Sequence, residues 1–414
     1  MVWNFNLSRP GSGMLRHGLF YAAVYVGVGM STPYAAVWLH SVGLTAAQIG
    51  MVLAAPMLGR IAAGPLIGVW ADSFGLRRTP MAGLALMAMF AFAALLVAQG
   101  FWAWLLLWFV ATTALNGVSP LADVLTLIGA QRQGFSYAVA RSCGSLAFVL
   151  ANVAGGAMLA QTRPVSVILW SALAAGIAAI AALLLLPAEP VTAERHEAGH
   201  PRGPEPPTGP ERQTGLAALK AVVADRRVML AIAAVSLIQG SHALYYGFSA
   251  IAWTGSGLSE GSVGLLWGLS VAAEVGFFWL RDRLGTALPA QRLILLGAVG
   301  ALVRWTVLAA SPPLWGLVPL QALHALSFAA TFVGGVEIVE QLCSRRTAST
   351  AQSLSASASF GLATGLATLG SGWLFERFHG AGYLAMSAMA AAGLVCAVVL
   401  SSAMPVLQAP NGKG

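Results

Sequence analysis

Charge is what this sequence lacks most. Asp, Glu, Lys and Arg make up 9% of its 414 residues, against roughly one quarter in an ordinary soluble domain. So few charges cannot dress a water-facing surface. Lysine is almost absent: Lys220 and Lys413 are the whole complement, and neither stands in a GxxxxGK[ST] phosphate loop, which argues against an ATP-driven pump. The three cysteines, Cys143, Cys343 and Cys396, show no CxxC or Cys/His spacing. Neither a disulfide framework nor a zinc site is indicated, and no metal or cofactor is expected. The loops leave no room for a soluble catalytic domain, so an enzyme is not expected. A net charge of +8 would point to nucleic acid in a soluble protein. Here the basic residues cluster in alternate loops, as orientation signals do, and nucleic acid is not an expected partner.

What is there instead is apolar length, with 58% hydrophobic residues. About 20 apolar residues cross a bilayer core. On that measure the chain resolves into twelve spans at 17–39, 47–71, 79–99, 101–128, 137–161, 165–187, 227–254, 260–280, 290–310, 313–342, 349–375 and 380–402. The first run is too long for the roughly 7 to 15 residue core of a signal peptide and reads as a retained span. The expected class is an all-α, multi-pass membrane protein in contact with the lipid bilayer.

Loop charge sets orientation. Arg9, Arg16, Arg77, Arg78, Arg132, Arg226, Arg227 and Arg346 share one side, whereas the other keeps only Arg163 and Arg377. Both termini are therefore expected in the cytoplasm. The loop around Ala188–Asp225, rich in Pro, Gly, Glu and Arg, has too little apolar content to fold alone. It divides the chain into six-span bundles at 1–187 and 227–414, with 188–226 as a cytoplasmic tether.

Six ionisable side chains sit inside these apolar runs: Arg60, Asp123, Arg141, Glu274, Arg304 and His324. A charge near the bilayer centre costs roughly 3 kcal/mol, so such groups mark a partner or a water-filled path. Asp123 on span four and Arg141 on span five fall at nearly one depth and are expected to pair. Asn116, Ser119 and Asp123 share a helical face, as do Arg141, Ser145 and Asn152. In the second half, Arg304 and His324 lie at similar depths with Gln321 one turn away, and Glu274 falls nearer the cytoplasm. A direct bridge between Glu274 and Arg304 stays open. His242 shares a face with Gln239 and Tyr246. Glu337 and Glu340 read as interfacial partners of Arg345 and Arg346, and Trp38, Trp70, Trp102, Trp253, Trp279, Trp315 and Trp373 as anchors at span ends.

A short motif recurs at the same place in each half. Gly68-x3-Asp72-x2-Gly75-x-Arg77-Arg78 joins spans two and three, and Asp282-Arg-Leu-Gly285 joins spans eight and nine. Gly64, Gly68 and Gly75 suit close helix approach, and an acid at a helix N-terminus meets its positive end. This pairing resembles the loop motif of the major facilitator superfamily, departing from it at Ser73. It implies twelve transmembrane helices in two bundles, with Gly68, Asp72, Gly75, Arg77, Arg78 and Asp282 as gating residues.

The run Gln239-Gly-Ser-His-Ala-Leu-Tyr-Tyr246, with Ala273-Glu274, Val303-Arg-Trp305, Gln321-Ala-Leu-His324, Gly59-Arg60 and Ser119-Pro-Leu-Ala-Asp123, resembles the bacterial 3-phenylpropionate permeases of that superfamily. More distantly it is similar to the lactose/proton symporters. The resemblance implies a substrate site at Asp123, Arg141, Arg60, Asn116, Asn152, His242 and Tyr246, and a proton-coupling group of Glu274, Arg304 and His324. Ser327 stands where the symporters carry a further acid, which leaves proton transfer to Glu274 or Asp123. The expected function is proton-coupled symport of a small aromatic carboxylic acid by a monomer in the bacterial inner membrane, without cofactor. Proton-driven efflux and sugar or nucleoside symport are alternatives, and a membrane enzyme or sensor is a remote one. Arg141, Arg304 and Arg60 all remain open as the carboxylate ligand.

Overall fold

Residues 12–190, 215–284, 288–344 and 346–403 are described by the computed structural model, without the side chains of Ser12, Gly215, Asp282 and Leu284. Asp282's carboxylate, Gly285, Arg345 and residues 191–214 of the tether thus lie outside the described part. Among the described residues all regular structure is helical apart from one isolated β-bridge between Leu76 and Pro190.

Helix ends fall where capping chemistry puts them. Thr45 Oγ1 accepts from Gln48 N at 3.3 Å while Gln48 Oε1 accepts from Thr45 N at 3.0 Å, opening span two, Ala46–Asp72. Ser136 caps span five, Tyr137–Leu159. Asp225 accepts from Arg227 N at 2.8 Å and opens span seven. Spans three, four and six are Arg78–Leu95, Phe101–Gln133 and Ser166–Leu185; spans eight and nine are Glu260–Leu284 and Ala290–Ala309.

The remaining spans are interrupted. Span one breaks between Ser31 and Ala35 with a 43° bend, and span seven breaks between Arg226–Gly240 and Ala243–Gly255. Span ten is Leu314–Ala322 continued through a π-helical stretch, Ala325–Ala330, into Thr331–Leu342. Span eleven, Ala348–Phe378, contains the π-helical Ser357–Ala363. A wider turn frees backbone carbonyls that side chains must satisfy inside a membrane. Gln239 Nε2 donates to Phe328 O at 3.2 Å and Thr364 Oγ1 to Ser359 O at 2.7 Å. Ten helical stretches, or eleven with the bent pair, are long and apolar enough to cross a membrane. One of these, Ala348–Ala403, is 56 residues, about 84 Å at roughly 1.5 Å per residue, and its 3₁₀ turn His379–Gly382 separates spans eleven and twelve. Twelve spans result among the described residues.

Inter-residue contacts divide the chain into two compact units. Among the described residues, one compact unit takes the first six spans together with 245–272 and 368–379; the other takes those of 215–244, 273–367 and 380–403. The tether is also not structureless throughout. Gly215–Ala224 is a helix whose Ala218 and Val222, one turn apart, are buried, because Leu216 to Val223 supplies helix formers with an apolar i, i+4 stripe.

Two further expectations change. Trp38 and Trp253 are buried rather than interfacial, Trp38 stacking on Trp108 at 6.5 Å and Trp253 packing on Tyr245. Glu337 pairs with Arg281, whose Nη2 lies 2.8 Å from Oε1 and 2.9 Å from Oε2.

Candidate functional site

In the first unit Asp123 and Arg141 meet, as their depths predict. Arg141 Nε lies 3.6 Å from Asp123 Oδ1, both groups half-buried. The same oxygen accepts from Tyr21 Oη at 2.5 Å and Tyr137 Oη at 3.1 Å. Arg141 also donates to Tyr25 Oη, and its Cζ sits 4.4 Å from the centre of that ring and 5.3 Å from that of Tyr21. Span one therefore completes the pair with two phenols, which sequence spacing between spans four and five could not show. The geometry is a satisfied ionic network. Crossing Asp123→Asn with Arg141→Gln is expected to give a coupling of about 1 kcal/mol in thermal unfolding of the detergent-solubilised protein.

A separate cavity of about 290 Å³ lies in the same unit. Arg60, Asn116 and Tyr246 line it with Trp108, Leu53 and Ile67. Asp123 and Arg141 are not in its wall. Asn152 and His242, expected with the substrate, are fully buried. Asn152 Nδ2 donates to Phe148 O at 2.7 Å. The break in span seven turns His242 inward, and its Nε2 lies 3.0 Å from Ser327 Oγ. The serine that replaces the expected acid thus holds a histidine.

In the second unit three groups form a chain. Glu274 Oε1 lies 2.7 Å from His324 Nε2, and His324 Nδ1 faces Arg304 Nη1. Arg304 Nη2 donates to Gln321 Oε1 at 3.0 Å, and its Cζ lies 4.8 Å over the Trp305 ring. Glu274, whose direct bridge to Arg304 the sequence leaves open, pairs with the histidine instead. An arginine N–H only donates, so Nδ1 must accept, and the ring proton sits on Nε2, facing the carboxylate. Arg304 thereby fixes the tautomer through which Glu274 is held. Arg304 and His324 are buried, and the Glu274 side chain is 14% exposed.

The motif that joins spans two and three makes local contacts. Arg78 Nη1 donates to Leu183 O at 3.0 Å and Leu186 O at 3.2 Å, satisfying carbonyls at the end of span six. Arg77 N donates to Glu189 O at 3.0 Å, and Glu189 Oε2 accepts from Arg132 at 2.7 Å. Asp72 is exposed. A Cβ placed on Gly64, Gly68 or Gly75 would meet nothing within 4 Å, so the expected close approach is absent here. Backbones touch at the opposite ends of spans two, five, eight and eleven. A Cβ on Gly156 would lie 2.4 Å from Glu260 O, one on Gly264 2.5 Å from Asn152 O, and one on Gly372 2.3 Å from Ala46 O. Tyr34 Oη donates to Asn152 O at 2.6 Å in the same seam.

Residues 14–384 match the MFS_1 like family. The chain is 30% identical over 330 residues to a protein described as a probable 3-phenylpropionic acid transporter from Escherichia coli (strain K12), covering 78% of this chain and 80% of that one. It is 28% identical over 392 residues to a maltose permease of Geobacillus stearothermophilus, covering 92% and 93%. The fold matches the crystal structure of the nucleoside transporter NupG at a TM-score of 0.77 and 15% identity, over 94% of this chain and 98% of that one. The sequence match and the twelve-helix fold agree: the chain belongs to the MFS_1 like family and is a multi-pass membrane transporter of the major facilitator type.

Proposed function

We propose that this transporter carries a small aromatic carboxylic acid together with a proton, by alternating access in the bacterial inner membrane, with both termini in the cytoplasm and no cofactor. The observation that carries this reading is the chain of Glu274, His324 and Arg304, the last two buried and the first nearly so. A carboxyl so enclosed carries a charge only beside a cation, and protonation removes that need. A proton gained and lost at Glu274 is thus tied to the position of Arg304, which must choose between His324 and a newly charged carboxylate. Asp123, by contrast, already has Arg141 and two phenols as partners.

The substrate class is supported by the relative described as a probable 3-phenylpropionic acid transporter and by the mostly apolar and aromatic cavity wall. The maltose permease keeps a sugar reading in play, which the wall disfavours. Ser31 and Thr112 donate to Gly27 O and Trp108 O, and Asn116 Nδ2 to Thr112 O, so few free donors face a polyol. The reading predicts that adding 3-phenylpropionate to proteoliposomes loaded with a pH-sensitive dye acidifies the lumen faster than diffusion of the free acid does in protein-free vesicles. Acidification by maltose and not by the acid would favour the sugar.

A further inference from the structure

Three intramembrane arginines were open as carboxylate ligands, and two are already engaged. Arg141 holds Asp123 and Tyr25, and Arg304 holds His324 and Gln321. Arg60 is different. It lines the cavity, it is an exposed residue overall, and no carboxylate pairs with it among the described residues. The phenol of Tyr25 accepts from Arg141. Arg60 is also the one charged side chain in the wall among the described residues. Such a group in a membrane interior calls for an anion.

The surroundings narrow the anion. Counted from the ends of spans two and four, Arg60 and Asn116 lie about 21 and 22 Å deep at roughly 1.5 Å per residue, so both stand at one level. Thr113 Oγ1, buried and without a hydrogen-bond partner, lines the same cavity. Trp108 and Tyr246 supply aromatic wall. One cation and no acid suit one carboxylate; an amine would meet repulsion, and a second carboxylate would find no partner. Guanidinium grips a carboxylate through two parallel N–H donors, which an ammonium cannot do.

We propose that Arg60 binds the carboxylate of a monocarboxylic acid whose apolar body lies against Trp108 and Tyr246, and so decides that the carrier takes acids rather than their neutral analogues. The proposal rests on the organic-acid reading above and names the residue that enforces it. It also gives the empty and loaded carriers different costs. Without cargo, closing the cavity would dehydrate an unpaired guanidinium; with an anion bound, the pair is neutral.

The test is binding of labelled 3-phenylpropionate to the purified full chain in nanodiscs, with 3-phenylpropionamide as the neutral competitor. Wild type is expected to prefer acid to amide at least tenfold. Arg60→Gln should weaken acid binding at least tenfold and erase the preference, with the thermal unfolding midpoint as the folding control. Arg60→Lys, which keeps charge but not the paired donors, should weaken acid binding several-fold and leave amide binding unchanged; it decides the matter should the glutamine variant not fold. Acid preference retained in Arg60→Gln, or acid binding unchanged in Arg60→Lys, overturns the proposal while leaving organic-acid transport standing. Failure of wild type to bind the acid overturns both.

Discussion

Glu274→Gln is expected to abolish concentrative uptake while sparing exchange of solute across the membrane. The amide is neutral, as the protonated acid is, and its Oε1 can still accept from His324 Nε2, so the variant mimics the proton-loaded carrier. Exchange needs only loaded forms. Net uptake needs a carrier that has released its proton, and that state is lost. A pH gradient of one unit is worth about 1.4 kcal/mol per proton, or tenfold accumulation of a solute carried with one proton. The variant should fall to no accumulation, with counterflow retained. Accumulation that survives in Glu274→Gln shows that the proton travels elsewhere, and Asp123 becomes the next acid to test.

The second large effect is expected at the glycine seam. Leucine at Gly156 has no room, because even its Cβ would fall 2.4 Å from Glu260 O and 2.7 Å from Tyr34 Oη. Overpacking of this kind costs about 1–3 kcal/mol, a 5- to 150-fold shift between two conformations. Gly156→Leu should therefore slow exchange by that factor and depopulate the arrangement seen here. A cysteine placed at Ser31, which lines the cavity, in a background with Cys143, Cys343 and Cys396 replaced by serine, should then react faster with an impermeant maleimide added from the Gly156 side. Unchanged reactivity and unchanged exchange would show that the seam does not open during transport.

Much of this was legible in the sequence, because hydrophobic length and intramembrane charge are strong local signals. The spans are recovered to within a few residues, and the Asp123–Arg141 pair follows from counting depth along two antiparallel helices. What counting cannot supply is the direction in which a side chain points once a helix is irregular. The π-helical stretch after His324 and the break before Ala243 set the chain from Glu274 to Arg304 and turn His242 toward Ser327. Nothing in the periodicity of Leu314–Leu342 or Arg226–Gly255 announces either irregularity. Tyr21 and Tyr25 act through their hydroxyls, since span one brings them to the ionic pair. Asn152 shares the polar face of span five, yet its peptide carbonyl belongs to the packed seam with Gly264 and Tyr34. The glycines split by conformation: Gly64, Gly68 and Gly75 face open space, while Gly156, Gly264 and Gly372 are crowded. Sequence gives both sets the same small-residue signature.

The claim at the centre of this account is that a proton gradient drives an organic acid through the protein. Its most direct measurement is uptake of labelled 3-phenylpropionate by proteoliposomes under an imposed pH gradient, alkaline inside, corrected for protein-free vesicles. The expected result is protein-dependent entry that a protonophore slows and that Arg60→Gln removes. Counterflow of the acid with a rate indifferent to the gradient and to the protonophore would contradict it.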